Sequence, residues 1–281
     1  MAFQTLIDSG SLHRLAADPR VAVLDCRFDL MDPDAGRRAY AAGHIPGAHY
    51  VQLDRDLSAR VTSASGRHPL PSPGVFAARM GRLGIGDDTQ VVAYDEANGS
   101  FASRLWWMLR WMGHTAVAVL DGGLKAWVEG GGALESGPPE PAPALFSPRI
   151  APGAWLSTGE LIAALRDPRT LLVDARAPER FAGSVEPIDP VAGHMPGAVN
   201  HPFGANLRAD GRFLAPEELA ARWRSRLGGK QPGHVIAMCG SGVTACHNLL
   251  ALEVAGLPGA KLYAGSWSEW IRDGERPVAR G

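Results

Sequence analysis

The sequence predicts an α/β fold built twice: two copies of one domain, each a parallel sheet flanked by helices on both faces. Three observations predict it. Motifs recur in the same order at a nearly constant spacing, a proline-rich stretch interrupts the chain at its middle, and short apolar runs alternate with helical segments.

The recurrence is direct. VAVLDCR (Val21 to Arg27) returns as LLVDAR (Leu171 to Arg176), so that Asp25 answers Asp174, 149 residues on. GHIPGA from Gly43 returns as GHMPGA from Gly193, at 150. VVAYDE around Asp95 returns as VIAMCG around Cys239, at 144, and LDGGLKAW returns as YAGSWSEW, at 143. Four ordered matches signal duplication, and the drift from 150 to 143 places extra residues in the first copy, within Arg55 to Pro71.

The interruption is GGALESGPPEPAPALFSPR, with five prolines between Pro138 and Pro148. Proline continues neither a helix nor a central strand, so an extended, semi-stiff strap is expected. The expected organisation is a first domain over 1–136, a linker over 137–151 and a second domain over 152–281.

Within the copies, VAVLD, VVAYD and AVAVL in the first and LLVDA, VIAMC and AKLYA in the second read as buried strands. SPGVFAARMGRLG and APEELAARWRSRLGG read as helices, each opened by Ser or Ala before Pro and closed by Gly. Strand–helix alternation of this kind gives parallel sheets, and in such sheets ligands sit beyond the carboxyl ends of the strands. Cys239 falls there.

Composition bounds the function. At 281 residues, 46% apolar and 20% charged, the chain has the balance of a soluble globular protein, and a net charge of −1 gives no electrostatic reason to bind nucleic acid or an anionic membrane. Lysine occurs only at 125, 230 and 261, so arginine carries most of the positive charge. Three cysteines, Cys26, Cys239 and Cys246, form neither a disulfide framework nor a zinc pattern. No signal peptide opens the chain and no stretch is long and apolar enough to span a membrane, so the cytoplasm is expected, with no metal and no cofactor.

VIAMCGSGVTACHNLLALEVAG carries the chemistry. It reads as a strand to Met238, a tight loop from Cys239 to Val243 and a helix from about Thr244. Gly240 and Gly242 permit positive φ, and backbone N–H groups from Gly240 through Gly242, Val243 and Thr244 are expected to curl into an anion nest at the helix N-terminus. A thiol held there is expected to have its pKa lowered and to act as a nucleophile. Cys26, at a strand end, and Cys246, about two turns into the helix, are expected to be packing residues.

GHIPGA/GHMPGA, LDGGLKAW, YAGSWSEW and the CGSGVTA loop together resemble the tandem-domain rhodaneses over nearly the whole chain. The resemblance implies two rhodanese-like domains and a persulfide cycle. Cys239 takes a sulfur from a small donor and passes it to cyanide or to a thiol such as thioredoxin or glutathione. It also implies that the first copy is not catalytic, since Asp95 stands where the cysteine would be. Thiosulfate-preferring members carry C-R-K-G-V-T; the loop here, C-G-S-G-V-T, is similar to that of the 3-mercaptopyruvate sulfurtransferases. That likeness implies a relay of Ser241, His68 and Asp54, and a donor-carboxylate grip by Arg180. A second family arginine is missing, because Glu186 and Pro187 are followed by Ile188. The loop's own residues offer no cation, which favours mercaptopyruvate over dianionic thiosulfate.

Two other readings fit less well. A rhodanese-related phosphatase needs a longer loop ending in an arginine, absent from Gly240 to Ala245. A non-enzymatic sulfur carrier or interaction module suits the first copy but not the second, whose nucleophile and nest are intact.

Overall fold

The computed structural model describes residues 2–140 and 142–281; Pro141 of the expected linker lies outside them. The chain forms two compact units. The first runs to Ala59 and takes in Leu70–Ala151 with Ala209–Arg212; the second takes in Arg60–Pro69, Pro152–Arg208 and Phe213–Gly281.

The first unit holds a five-stranded sheet of β1 (Leu6–Ile7), β2 (Val21–Asp25), β3 (His49–Tyr50), β4 (Gln90–Tyr94) and β5 (Val117–Leu120). Its order is β1-β5-β4-β2-β3 and every pairing is parallel, with Val23 opposite Val92 and Ala93 opposite Val119. The central strands are apolar apart from Asp25 at the end of β2 and Gln90 at the start of β4, because helices cover both faces. Ile7, Val23, Val92, Ala118, Leu124 and Trp127 close one side of the core. The edge strands β1 and β3 are two residues long, too short to leave a pattern in the sequence. Pro73–Arg82 forms a helix with its proline in the first turn, where the missing N–H costs nothing.

The strap is tied down along the first unit. Ala144 N–H donates to Gly81 O, Arg149 N–H to Met112 O and Ala151 N–H to Trp111 O. Phe146 is buried edge-on against His114.

The second unit repeats the design with β6 (Trp155–Leu156), β7 (Leu171–Asp174), β8 (Val199–Asn200), β9 (Val235–Met238) and β10 (Lys261–Tyr263). The order β6-β10-β9-β7-β8 matches the first sheet position for position, again all parallel. Leu172, Ile236, Met238, Tyr263 and Trp267 pack in its core. The helix Pro216–Leu227 starts on proline and ends at Gly228, whose φ of 55° gives the left-handed cap.

The duplication extends to side chains. Arg27 caps its sheet by pairing with Asp25 at 2.6 Å and donating to Gly43 O at 2.7 Å; Arg176 repeats this with Asp174 at 2.7 Å and Gly193 O at 2.8 Å. His44 stacks on Tyr40 and bonds its carbonyl, as His194 does with Phe181. These buried pairs fix the strand ends from which each loop departs. Among the described residues no helix is long and apolar enough to cross a membrane.

Candidate active site

β9 delivers Cys239 to the carboxyl edge of the second sheet, where it is 2% exposed. The loop is clamped from the side by the first turn of the helix Ser266–Trp270. Trp267 N–H donates to Cys239 O at 3.0 Å, Ser268 N–H to Gly240 O at 2.8 Å, and Cys239 N–H to Ser266 Oγ at 3.1 Å. The YAGSWSEW motif thus holds the backbone of the cysteine loop in place.

Gly242 then turns the chain back, with φ at 78°, and its N–H donates to Cys239 Sγ at 3.2 Å. A Cβ at Gly242 would stand 2.3 Å from Ala264 O, so this position takes only glycine. Gly240 departs from expectation, because its φ is not positive. Its lack of a side chain leaves room instead: a Cβ there would meet Arg67 Nη2 at 3.0 Å and the Arg180 guanidinium at 3.6 Å. Val243 is buried, and Thr244 leads into the helix Ala245–Val254, whose positive end lies next to the loop. Cys246 is in the first turn of that helix, not two turns in, because most of the seven residues that separate it from Cys239 are loop and not helix. It is fully buried, with Sγ 3.4 Å from Gly242 O. Burial also pushes the Cys26 thiol up, with the Asp95 and Asp25 carboxylates adding to it, in keeping with a packing residue.

Ser241 lies at the centre of the loop, with Oγ 2.7 Å from His68 Nδ1; both residues are 5% exposed. His68 reaches this place because Arg60–Pro69 packs as part of the second unit. Gly66 allows the approach, since a Cβ there would stand 2.6 Å from Gly265 O and 2.8 Å from Ser268 Oγ. Asp54 belongs to the first unit, on the short helix Leu53–Asp56, and is exposed.

Beside Gly240 lies an ionic cluster. Arg180 donates through Nε and Nη2 to Glu186, the shortest contact being 2.7 Å, and through Nη2 to Asp189 at 3.1 Å. Arg176 reaches Glu186 at 3.5 Å and lies 4.8 Å over the Trp267 ring. Arg67 pairs through Nη1 with Asp189, and its N–H donates to Ser268 Oγ. Burial raises the Glu186 carboxyl, but hydrogen bonds from Arg180 and from the N–H groups of Asp189 and Ile188 outweigh it and hold it below its ordinary value. Asp189 goes the other way: burial pushes it up, and the Glu186 carboxylate adds to this against the pull of Arg67 and Arg180. Ile188 brings only its N–H, to Glu186. The loop's own residues carry no cation, but the elements around it bring two. Two guanidinium groups stand over Gly240, and Arg67, which sequence reasoning missed, is the nearer.

The corresponding loop of the first unit is closed. The Asp95 carboxylate accepts N–H bonds from Ala97, Gly99, Phe101 and Ala102 at 2.8–2.9 Å. In the second unit Cys239 stands at this place, and its sulfur accepts the Gly242 N–H.

The description "Rhodanese-like domain" matches residues 8–130 and again 157–273. The chain belongs to the rhodanese-like family. It is 49% identical to "Probable 3-mercaptopyruvate sulfurtransferase" of Pseudomonas aeruginosa, over all of both chains. It is 38% identical to the thiosulfate sulfurtransferase of Cricetulus griseus, across 98% of this chain and 92% of that one. Among solved structures it resembles SseA from Escherichia coli, a 3-mercaptopyruvate sulfotransferase. The TM-score there is 0.82 and the identity 34%, covering 95% of this chain and all of that one. The two rhodanese-like domains accordingly share one architecture, one ending its fourth strand on a buried carboxylate and the other on a thiol.

Proposed function

We propose that this rhodanese-like chain is a sulfurtransferase that carries sulfur on Cys239, with 3-mercaptopyruvate as donor. The observation that carries this reading is the pairing of Ser241 Oγ with His68 Nδ1 at 2.7 Å, two residues from a sulfur that accepts the Gly242 N–H.

The Cys239 thiolate attacks the donor's sulfur, the carbon–sulfur bond breaks, and its electron pair leaves on carbon as pyruvate enolate. That carbon needs a proton. Ser241, bonded to His68, is placed to pass the donor thiol's proton on, so the products are Cys239–S–S⁻ and pyruvate with charge and hydrogens balanced. A carboxylate of the donor is met by Arg180 through Nη1, since its Nε and Nη2 are held by Glu186 and Asp189. The Gly242 N–H and the helix start at Ala245 favour negative charge on the sulfur through the cycle. The persulfide then gives its outer sulfur to cyanide or to a thiol such as thioredoxin or glutathione, in a reducing cytoplasm that keeps all three cysteines free. Asp54, the third relay member that the resemblance implies, is probed by Asp54→Asn.

A second reading, thiosulfate as donor, is favoured by one observation: Arg67 and Arg180 both face Gly240, and two cations suit a dianion. The deciding experiment is kcat/KM for each donor with the same acceptor. A higher value for thiosulfate would replace the first reading with the second. Absence of sulfur on the Cys239 peptide after treatment with either donor would remove both.

A further inference from the structure

Side-chain arrangements present in both copies serve the fold; those present only in the copy with the cysteine point to what that copy does. The Arg27–Asp25 and Arg176–Asp174 pairs, and His44 on Tyr40 and His194 on Phe181, occur in both units. A buried polar network behind the cysteine loop is confined to the second. Its hub is Asn206, fully buried at the end of the 3₁₀ helix Phe203–Asn206. Asn206 Oδ1 accepts from Trp223 Nε1 at 3.1 Å and from His201 Nε2 at 3.0 Å. Its Nδ2 donates to Asn248 Oδ1 at 2.7 Å and meets His247 Nδ1 at 3.3 Å. Asn248 Nδ2 closes the circuit by donating to His201 O at 2.9 Å. The first unit builds the same sheet without these groups. At the 144-residue spacing of the two loops, Ser103 and Arg104 stand where His247 and Asn248 do, and at the 150-residue spacing Val51 stands for His201. On the helices that open at Pro73 and Pro216, Met80 stands for Trp223.

The network admits one protonation pattern. An indole N–H only donates, so Trp223 fixes the oxygen end of the Asn206 amide toward itself. The amide nitrogen then faces His247 and cannot accept, so His247 Nδ1 is the acceptor and the ring carries its proton on Nε2. His201 donates from Nε2, and burial holds it below its ordinary value, in keeping with a neutral ring. Both His247 and Asn248 lie in the first turn of the helix Ala245–Val254, the turn that follows the cysteine loop. From this geometry we infer that Asn206 is a positioning residue for Cys239. Through His247 and Asn248 it holds that first turn in place, and with it the loop that presents the sulfur and the Gly242 N–H. What the positioned thiol is used for rests on the sulfurtransferase reading.

The test reads Cys239 directly. Alkylation by iodoacetamide, located by peptide mass, measures the nucleophile without any sulfur donor. Asn206→Ala should slow it about 10-fold, the scale of a displacement well under 1 Å, and lower kcat alike with little change in KM. Asn206→Asp keeps the shape but turns an acceptor toward Asn248 Oδ1 and His247 Nδ1. It should lose as much as alanine does, and its His247 should carry a proton on Nδ1 in long-range proton–nitrogen spectra, where wild type shows Nδ1 bare. Thr170→Val removes a hydrogen bond to Ala164 O at the opposite end of the same sheet, and should leave alkylation and kcat within twofold of wild type. Circular dichroism melts identify which variants are folded. Alkylation within twofold of wild type in folded Asn206→Ala or Asn206→Asp would overturn the inference. So would a protonated His247 Nδ1 in wild type, a measurement that needs no variant to fold. Wild type that alkylates at Cys239 but gains no sulfur from 3-mercaptopyruvate or thiosulfate would refute the sulfurtransferase reading instead, and the Asn206 comparison would still be decided by the alkylation rates.

Discussion

Replacing Gly242 with alanine tests the loop at its tightest point. Its φ of 78° lies in the left-handed region, where a residue with a Cβ costs about 1–2 kcal/mol. The new methyl would also stand 2.3 Å from Ala264 O, with Ala264 C at 3.0 Å and Cα at 3.1 Å. All three atoms are backbone, at the end of a strand locked into the sheet, so the loop must retreat by several tenths of an ångström. Forced displacement of that kind costs a further ~1–3 kcal/mol. Together these take a sizeable part of the roughly 5–15 kcal/mol that stabilises a domain. At roughly 2–4 °C per kcal/mol for a chain of this size, the melting point should fall by roughly 5–15 °C. The retreat also moves the N–H that touches Cys239 Sγ, and displacements near 1 Å in an active site cost on the order of 100-fold in rate. Urea unfolding and sulfur loading of Cys239 measure the two effects. Gly240→Ala is the control: without a left-handed φ, and with only guanidinium ends near its Cβ, it should change stability by less than about 0.5 kcal/mol. A Gly242→Ala protein as stable and as active as wild type would show that the reasoning from backbone contact is wrong.

Further outcomes follow from the same geometry. Cys239→Ser should abolish turnover while Cys26→Ser and Cys246→Ser keep it, with one added sulfur found by mass only on the Cys239 peptide; comparable loss in Cys246→Ser would refute the single-cysteine cycle. Ser241→Ala and His68→Ala should each slow the mercaptopyruvate reaction by about 100-fold or more, and the thiosulfate reaction much less, because sulfite leaves without a proton on carbon; equal losses would separate the pair from proton transfer. A fragment beginning at Pro152 lacks Arg60–Pro69, and with it His68 and Arg67, so its mercaptopyruvate activity should be near zero; full activity would dismiss both residues. Glu186 is held below its ordinary value of 4.5, so it stabilises the fold above that value, and the contribution disappears as pH falls through the lowered one. Glu186→Gln should therefore be destabilised at neutral pH and approach wild type in acid. Asp189 is raised, so it contributes below its ordinary value and the contribution is lost as pH rises; Asp189→Asn should tolerate neutral pH better than Glu186→Gln does, in parallel urea titrations.

The sheets were legible because strands buried on both faces must be apolar, and VAVLD, VIAMC and their partners show this without ambiguity. The two-residue edge strands were not, since a pattern of period two needs more residues than they have. Cys239 was visible because strand, glycine-rich loop and helix are consecutive in sequence, and local order is what sequence shows best. Ser241 and His68 came from a family resemblance, and their 2.7 Å contact joins residues 173 positions apart, which no local pattern encodes. Arg67 left no signal beyond its place next to His68. In a chain with 28 lysines and arginines, nothing in the sequence marks which guanidinium ends beside a particular glycine. Gly240 was misread for a related reason: whether a glycine serves torsion or space is decided by neighbours far along the chain.

The membership of Arg60–Pro69 in the second unit bears on how the protein is made. These residues leave the ribosome before any strand of the sheet they join has been synthesised, and domains fold in order of synthesis. When the first sheet is complete, the elements of the second unit that this segment joins have not yet been made. Its contacts with Ser241 and Ser268 can form only once the cysteine loop and the Ser266–Trp270 helix have emerged, some 200 residues later. The serine–histidine contact that the proposed chemistry uses is therefore among the last that synthesis makes possible, and a chain truncated before Ser241 cannot form it.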